Sequence, residues 1–78
     1  LVQEFDNTDL WYGLGMMGGG VVQGVHHDTQ SCYQQTLTYD SNFERAWRNL
    51  GEECNGGTVN GKFYDREACL EEYNKCKN

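Results

Sequence analysis

The chain has 78 residues, of which 12 are acidic and 6 basic, and its net charge is −6. A chain of this length supports a single core, so residues 1–78 are expected to form one small domain. Nucleic acid is excluded as an expected partner because phosphate binding needs clustered bases, and a membrane span is excluded because no run reaches roughly 18 apolar residues.

The N-terminal third predicts a helix. Its apolar face would consist of residues at helical spacing: Leu10, Leu14, Met17, Val21 and Val25. Six glycines lie between positions 13 and 24, and each interior glycine costs roughly 0.5–1 kcal/mol against alanine, so packing must stabilise this helix. Three of them would form a smooth groove, filled by the chain's own helices or by another chain: Gly13, Gly20 and Gly24.

The cluster His26-His27-Asp28 follows this helix and is the most catalytic-looking group. Histidine titrates near neutral pH, and an aspartate can fix its tautomer. Adjacent side chains point in different directions, however, and the chain has no third histidine to complete a metal site. We expect solvent-exposed histidines here, with a pH-sensitive contact as the alternative.

The glycine run and the histidines together resemble part of an enzyme family. Tyr12-Gly13 through Gly18-Gly19-Gly20, followed by His27-Asp28 and Cys32-Tyr33, is similar to the calcium loop and the His-Asp-x-Cys-Tyr helix of secreted phospholipases A2. The resemblance implies a general base at His27 and a calcium ligand at Asp28. Three residues separate His27-Asp28 from Cys32, where the family's motif has one. The family's paired cysteines around the loop are also missing. A lipid hydrolase is therefore the third-ranked function.

A middle helix is predicted to begin at a capping box, Ser41-Asn42-Phe43-Glu44. The apolar residues that follow recur at i, i+3, i+4 and i+7 and share one face: Phe43, Ala46, Trp47 and Leu50. Gly51 offers a C-cap, so the helix is predicted to end there.

The last third predicts one β-hairpin and a final helix. Asn60-Gly61, flanked by short β-prone runs, is a strong signal for a two-residue hairpin turn. Asp65 is the expected N-cap of the helix that follows, and Lys75 and Lys77 lie near its negative C-terminal end.

Four widely spaced cysteines predict two disulfides and, with them, a secreted protein: Cys32, Cys54, Cys69 and Cys76. The last two lie seven residues apart on the final helix, about 10.5 Å along its axis, so they cannot pair with each other. Cys54–Cys69 with Cys32–Cys76 is favoured because it closes the hairpin loop. Cys32–Cys69 with Cys54–Cys76 stays open.

The expected fold is mainly α: a small disulfide-stabilised helical domain of three to four short helices and one β-hairpin, without an internal repeat. Its expected core consists of Leu14, Met17, Val21, Phe43, Trp47, Leu50, Phe63 and Tyr73.

The expected function is that of a secreted, extracellular, non-enzymatic protein-interaction module without a cofactor or metal. Its candidate interface lies in the N-terminal third: Trp11, Tyr12, Gly13, Met17, Gly20 and Gly24. The partner is either a second copy, in a self-assembling structural subunit of a filament or matrix, or a receptor, for an effector or toxin-like ligand. Self-assembly predicts concentration-dependent homo-oligomers, and a ligand predicts a stable monomer with one exposed aromatic patch.

Overall fold

The computed structural model describes residues 7–77, which form four helices and two antiparallel β-hairpins. The mainly helical class is confirmed, with two hairpins among these residues where one was predicted. The elements, in chain order, are α1 (Asn7–Met16), β1 (Gly19–Val22), β2 (Val25–Asp28), α2 (Thr29–Tyr39), α3 (Glu44–Cys54), β3 (Gly56–Val59), β4 (Lys62–Asp65) and α4 (Arg66–Lys77).

The order helix, hairpin, helix occurs twice, and we call residues 7–39 unit 1 and residues 44–77 unit 2. Hairpin 1 (β1 and β2) pairs Gly19 with Asp28, and hairpin 2 (β3 and β4) pairs Gly56 with Asp65, 37 positions later. Both units carry the motif Gly-Gly-x-Val-x-Gly-x-x-x-Asp-x-x-x-Cys from the first of these glycines. The prediction that the chain has no internal repeat is therefore wrong.

The first helix of each unit repeats a second motif. α1 contains Trp11-x-x-Leu14-Gly15, and α3 contains Trp47-x-x-Leu50-Gly51, 36 positions later. The offset is one smaller than in the hairpins because α3 has 11 residues and α1 has 10. Each position in unit 1 therefore has a counterpart in unit 2 that serves as an internal comparison.

The long N-terminal helix predicted through Val25 is wrong, because α1 ends at Met16. Gly18 and Gly19 have positive φ values of 96° and 105°, a conformation incompatible with a continuing helix. Gln23 and Gly24 then form the turn of hairpin 1, both at positive φ as in a type I′ turn. The three glycines of the predicted groove therefore lie in a helix, a strand and a turn, and the groove does not form.

The predictions of a turn at Asn60-Gly61 and of an N-cap at Asp65 are both confirmed. Asn60 and Gly61 form the turn with φ values of 52° and 84°. Asp65 Oδ1 accepts a hydrogen bond of 2.8 Å from the Ala68 amide at the start of α4. Its counterpart Asp28 caps α2 in the same way, accepting from the Ser31 amide at 2.8 Å.

The middle helix, α3, begins and ends at different residues from those predicted. Phe43 is its N-cap and makes no side-chain cap hydrogen bond, so the capping box does not form. The Ser41 carbonyl instead accepts a 2.7 Å hydrogen bond from Trp47 Nε1. The helix also continues through Gly51 to Cys54, where Asn55 ends it in the left-handed conformation.

The core lies where α2, α3, α4 and β3 meet. Its buried members are Tyr33, Leu37, Ala46, Trp47, Leu50, Val59 and Cys69. Trp47 and Leu50 were predicted correctly, and Phe43 and Tyr73 pack against this cluster with partial burial.

Three residues predicted for the core are exposed: Met17, Val21 and Phe63. Leu14 is half-buried, against Gly20 of β1. Val21 and Phe63 are exposed because each hairpin covers its unit with one face only, and both residues lie on the other face. No helix within residues 7–77 has the length and apolar character needed to cross a membrane.

Candidate interaction surface

The two units are joined by helix α2, which lies against β3 of unit 2. Gln30 Nε2 donates a 2.6 Å hydrogen bond to the Gly56 carbonyl, and Gln34 Oε1 accepts one of 2.7 Å from the Thr58 amide. The two glutamines thus satisfy the outer edge of hairpin 2, which would otherwise face solvent. Unit 2 therefore has a covered hairpin edge that serves as the reference for unit 1.

Tyr12 belongs to this joint within the chain. Its ring centroid lies 4.8 Å from that of Phe43 and 5.8 Å from that of Tyr33, and its hydroxyl accepts a 3.1 Å hydrogen bond from Asn49 Nδ2. Burial, together with the nearby Glu53 carboxylate, raises the pKa of the Tyr33 hydroxyl to about 12. Tyr12 is therefore mainly a structural residue of the inter-unit contact.

Trp11 pairs with His27 rather than with solvent. The two rings meet edge to face with centroids 4.8 Å apart, and His27 Nδ1 shares a 2.9 Å hydrogen bond with Ser31 Oγ. His26 is exposed on the same strand, β2, and His27 is half-buried. The expected pair of exposed histidines at a helix end is therefore wrong for His27, which contacts the first helix of its own unit.

The counterpart of this pair in unit 2 is apolar. Trp47 meets Tyr64 edge to face at 4.7 Å, and Ala68 occupies the position that corresponds to Ser31. In both units, therefore, a ring on the second strand packs against the tryptophan of the first helix. Unit 1 uses His27 and Ser31 at the two positions where unit 2 has Tyr64 and Ala68.

The residues that the phospholipase resemblance singled out have structural partners. Asp28 caps α2, and His27 contacts the tryptophan ring and a serine. Both lie at the end of a strand and not on a helix. Residues 7–77 hold no group of three His, Cys, Asp or Glu side chains placed to bind a metal ion.

Exposed apolar side chains concentrate in the first half of unit 1. Five residues of α1, its C-terminal end and hairpin 1 have between 51% and 80% of their surface exposed: Leu10, Met16, Met17, Val21 and Val25. We call this set of five residues the apolar face, although Val21, paired with His26, and Val25, paired with Val22, lie on opposite sides of hairpin 1. Their counterparts in unit 2 are Ala46, Glu52, Glu53, Thr58 and Lys62. Four of those counterparts are polar, so the fold itself does not require apolar side chains at these positions.

The structure thus divides the six predicted interface residues. Met17 belongs to the apolar face, and a Cβ at Gly13 would meet nothing within 4 Å, so both are accessible. Gly20 lies against the chain's own Leu14, where a Cβ would be 2.9 Å from Leu14 Cδ1, and Gly24 serves the hairpin turn. Sequence reasoning missed Leu10, Met16 and Val25 as surface residues, and the internal repeat was the signal that could have found them.

The structure joins none of the four cysteines in a disulfide. Cys32 and Cys69 are fully buried at corresponding positions of the two units. Cys54 is the last residue of α3, whereas Cys76 Sγ lies 3.8 Å from the Ser41 carbonyl, before the start of α3. Since an 11-residue helix is about 16 Å long, these two thiols lie at opposite ends of the molecule's second half. The two-disulfide pairing stays a prediction, and the connectivity that joins Cys54 to Cys76 would require one of these residues to move.

All four thiols have pKa values above the ordinary 9.0. The largest shift is at Cys69, where burial, with smaller contributions from Asp65, Cys54 and Glu72, raises the pKa to about 11. The thiols are therefore protonated and weakly nucleophilic at neutral pH, which is the behaviour of structural cysteines.

Comparisons with protein-family models, curated proteins and solved structures find no match to this chain.

Proposed function

We propose that the chain is a non-enzymatic protein-interaction module that binds its partner through the apolar face of unit 1. The observation that carries this proposal is the difference between the two units at corresponding positions. Unit 2 has the same order of elements and the same hairpin register, and it carries Glu52, Glu53, Thr58 and Lys62 where unit 1 carries methionines and valines. Exposed apolar groups that a fold does not need are typical of binding surfaces.

The two methionines suit such a surface. Met16 and Met17 have unbranched, polarisable side chains that adapt to different partner shapes. They lie beside the glycine turn that separates α1 from hairpin 1, and Met17 is the most exposed large apolar residue among those described. A partner that covers them would remove a large apolar area from water, which is favourable by about 25 cal/mol per Å².

A non-enzymatic role is supported by the partners of the reactive side chains. His27, Ser31 and Asp28 are engaged in a ring contact, a hydrogen bond and a helix cap. The four thiols are held in their protonated form. Calcium-dependent lipid hydrolysis that disappears in His27→Gln would contradict this part of the proposal.

An extracellular location remains part of the proposal and rests on the even set of four cysteines. The direct measurement is the intact mass of the protein isolated from its source, before and after reduction and alkylation. Two disulfides predict four alkylated thiols after reduction and none before it. Free thiols throughout would favour a reducing compartment and remove this argument for secretion.

The decisive experiment exchanges the four residues of the apolar face whose unit 2 counterparts are polar. The variant Met16→Glu, Met17→Glu, Val21→Thr, Val25→Lys changes only exposed side chains to those at the corresponding positions of unit 2, so it should fold. Light scattering on a size-exclusion column over a wide concentration range should show association of the natural chain and its loss in the variant.

The matched control is Phe63→His, which copies His26 into unit 2 and removes an exposed apolar residue outside the apolar face. Association should survive it. Association that survives the fourfold exchange would place the contact elsewhere and contradict the proposal. If the natural chain stays monomeric at every concentration, the ligand form of the proposal applies, and binding of the labelled chain to target cells must then depend on the same four residues.

A further inference from the structure

We propose that the partner of unit 1 is helix α4 of a second copy of this chain, so that copies join head to tail. The inference rests on the proposed function in placing the contact on unit 1, and of the apolar face it uses Leu10, because the unit 2 counterparts of the other four residues stay exposed beside α2. Its basis is the joint that the chain already forms between its own units, where α2 of unit 1 covers the edge of hairpin 2.

No residue of the described range 7–77 covers the corresponding edge of hairpin 1 with a side-chain hydrogen bond. Gly56 O and Thr58 N, which the glutamines of α2 bind, correspond to Gly19 O and Val21 N. Among residues 7–77, no side-chain hydrogen bond reaches Gly19 or Val21. Unit 1 therefore presents the backbone donor and acceptor that unit 2 has already satisfied, and an exposed strand edge of this kind favours pairing with another chain.

Helix α1, next to this edge, also lacks the cover that α2 gives to α3 among the described residues. Ala46 is fully buried in the core cluster that contains Tyr33 and Leu37 of α2, whereas its counterpart Leu10 is 51% exposed. A Cβ at Gly13, the counterpart of Asn49, would meet no atom within 4 Å. The space that α2 fills on unit 2 is thus open on unit 1, and it is lined by a larger apolar side chain.

Helix α4 is the counterpart of α2, so it is the element that would fill this space from another copy. Glu67 and Glu71 occupy the positions of Gln30 and Gln34, and both are exposed. The Glu71 carboxylate can accept a hydrogen bond from the Val21 amide, as the Gln34 side chain accepts from Thr58. One of the two hydrogen bonds of the internal joint is therefore preserved.

The second hydrogen bond is lost, which makes the joint between copies weaker than the joint within the chain. A carboxylate at Glu67 has no proton to donate to Gly19 O, whereas Gln30 Nε2 donates to Gly56 O. Asn74 also occupies the position of Leu37, so less apolar surface is buried. We therefore expect association that depends on concentration, and an open-ended series of copies, because the two contacting surfaces are different.

The loss at Glu67 allows a gain-of-function test. Glu67→Gln restores the donor of the internal joint and should tighten association by about fivefold, the value of one hydrogen bond. Glu53→Gln changes the net charge equally on α3 and should leave association within twofold of the natural chain. The measurement is light scattering with sedimentation equilibrium across concentration. Equal effects of the two variants would mean that reduced repulsion alone is responsible, and would overturn the inference.

Mixing two blocked variants tests the head-to-tail geometry. Leu10→Lys blocks the open end of unit 1 and keeps α4 intact, and Glu71→Lys does the reverse; both positions are exposed, so both variants should fold. Each variant alone should be monomeric, and the equimolar mixture should form a one-to-one dimer and nothing larger. Circular dichroism of each variant checks that its helices remain.

The other outcomes separate this inference from the proposed function. If Leu10→Lys prevents association but Glu71→Lys does not, the apolar face is the contact and α4 is not its partner, so only the inference fails. Self-dimers of Glu71→Lys would indicate that two unit 1 faces meet each other. If Leu10→Lys associates as strongly as the natural chain, the inference fails, and the fourfold exchange decides the proposed function separately. A natural chain that is monomeric at millimolar concentration also overturns the inference.

Discussion

The Ser31 hydroxyl lies 2.9 Å from Nδ1 of His27, at the place where unit 2 carries Ala68 and Tyr64. The two polar residues occupy a site that the fold fills with apolar side chains elsewhere in the same chain. The ring of His27 still contacts Trp11 as Tyr64 contacts Trp47. The ring contact with tryptophan thus has the same geometry in both units, but in unit 1 it is made by a histidine that is hydrogen-bonded to a serine.

Replacing His27 and Ser31 by their unit 2 counterparts should stabilise the protein. The variant His27→Tyr with Ser31→Ala copies unit 2, replaces two half-buried polar groups, and should raise the free energy of unfolding by about 1 kcal/mol through ring packing. Urea denaturation followed by tryptophan fluorescence measures it. The reciprocal exchange, Tyr64→His with Ala68→Ser, should destabilise, because Trp47 is only 2% exposed. A stabilised reciprocal variant would contradict the equivalence of the two sites.

Two helical glycines should respond in opposite directions to alanine. A Cβ at Gly51 would lie 3.0 Å from Cys69 Cβ and 3.2 Å from the Arg66 carbonyl, so Gly51→Ala should cost about 1–3 kcal/mol by forcing α3 and α4 apart. Gly13→Ala meets nothing within 4 Å and should stabilise α1 by about 0.5–1 kcal/mol. Thermal and urea unfolding of the two single variants provide the comparison. Similar effects at both positions would show that the helix contact is looser than described.

The glutamine at the unit joint should contribute to stability, while its neighbour should not. Gln34→Ala removes the side chain that accepts from the Thr58 amide and should cost about 0.5–1.5 kcal/mol, the net value of one hydrogen bond whose donor water can still reach. Gln35→Ala is the control, because no described hydrogen bond involves that side chain. Amide hydrogen exchange at Thr58 should accelerate in the first variant only. Unchanged exchange would mean that the edge of hairpin 2 is protected by something other than α2.

The reduced protein should lose stability at alkaline pH through Cys69. Burial raises the pKa of this thiol from 9.0 to about 11, so the folded state binds the proton more tightly than the unfolded state. Its contribution is complete below pH 9 and is lost as the pH rises to about 11. Cys69→Ala should flatten this part of the stability profile, measured by urea unfolding in the presence of a reductant. A profile as steep as that of the natural chain would assign the loss to other groups.

Local signals in the sequence determined the second hairpin and the cap of α4. Asn60-Gly61 favours a two-residue turn with positive φ, and Asp65 can accept from an amide three residues later. Trp47 and Leu50 were also predicted correctly as core residues, because their helical spacing places them on one face. Such preferences depend on neighbouring residues only, so they can be read without knowing the rest of the chain.

The first hairpin could not be predicted from the spacing of apolar residues alone. The valines at positions 21 and 25 fit a helix as well as a strand, and Gln23-Gly24 is a weaker turn signal than Asn60-Gly61. The strands approach closely at Gly19, where a Cβ would collide with the His27 carbonyl on the partner strand, so the hairpin needs a glycine there. That contact exists only once the chain has folded back.

Tertiary structure alone decided which surfaces remained open. The sequence predicted an acidic, mainly helical chain with an apolar N-terminal third, and the contacts of α2 determined where that apolar character became accessible. α2 buries Tyr33 in the core and covers hairpin 2, so unit 2 is satisfied within the chain. Unit 1 has no preceding α2 among the described residues, and Leu10 and Val21 remain exposed. Burial depends on which elements meet: α2 lies against unit 2, and no described helix lies against unit 1 in the same way.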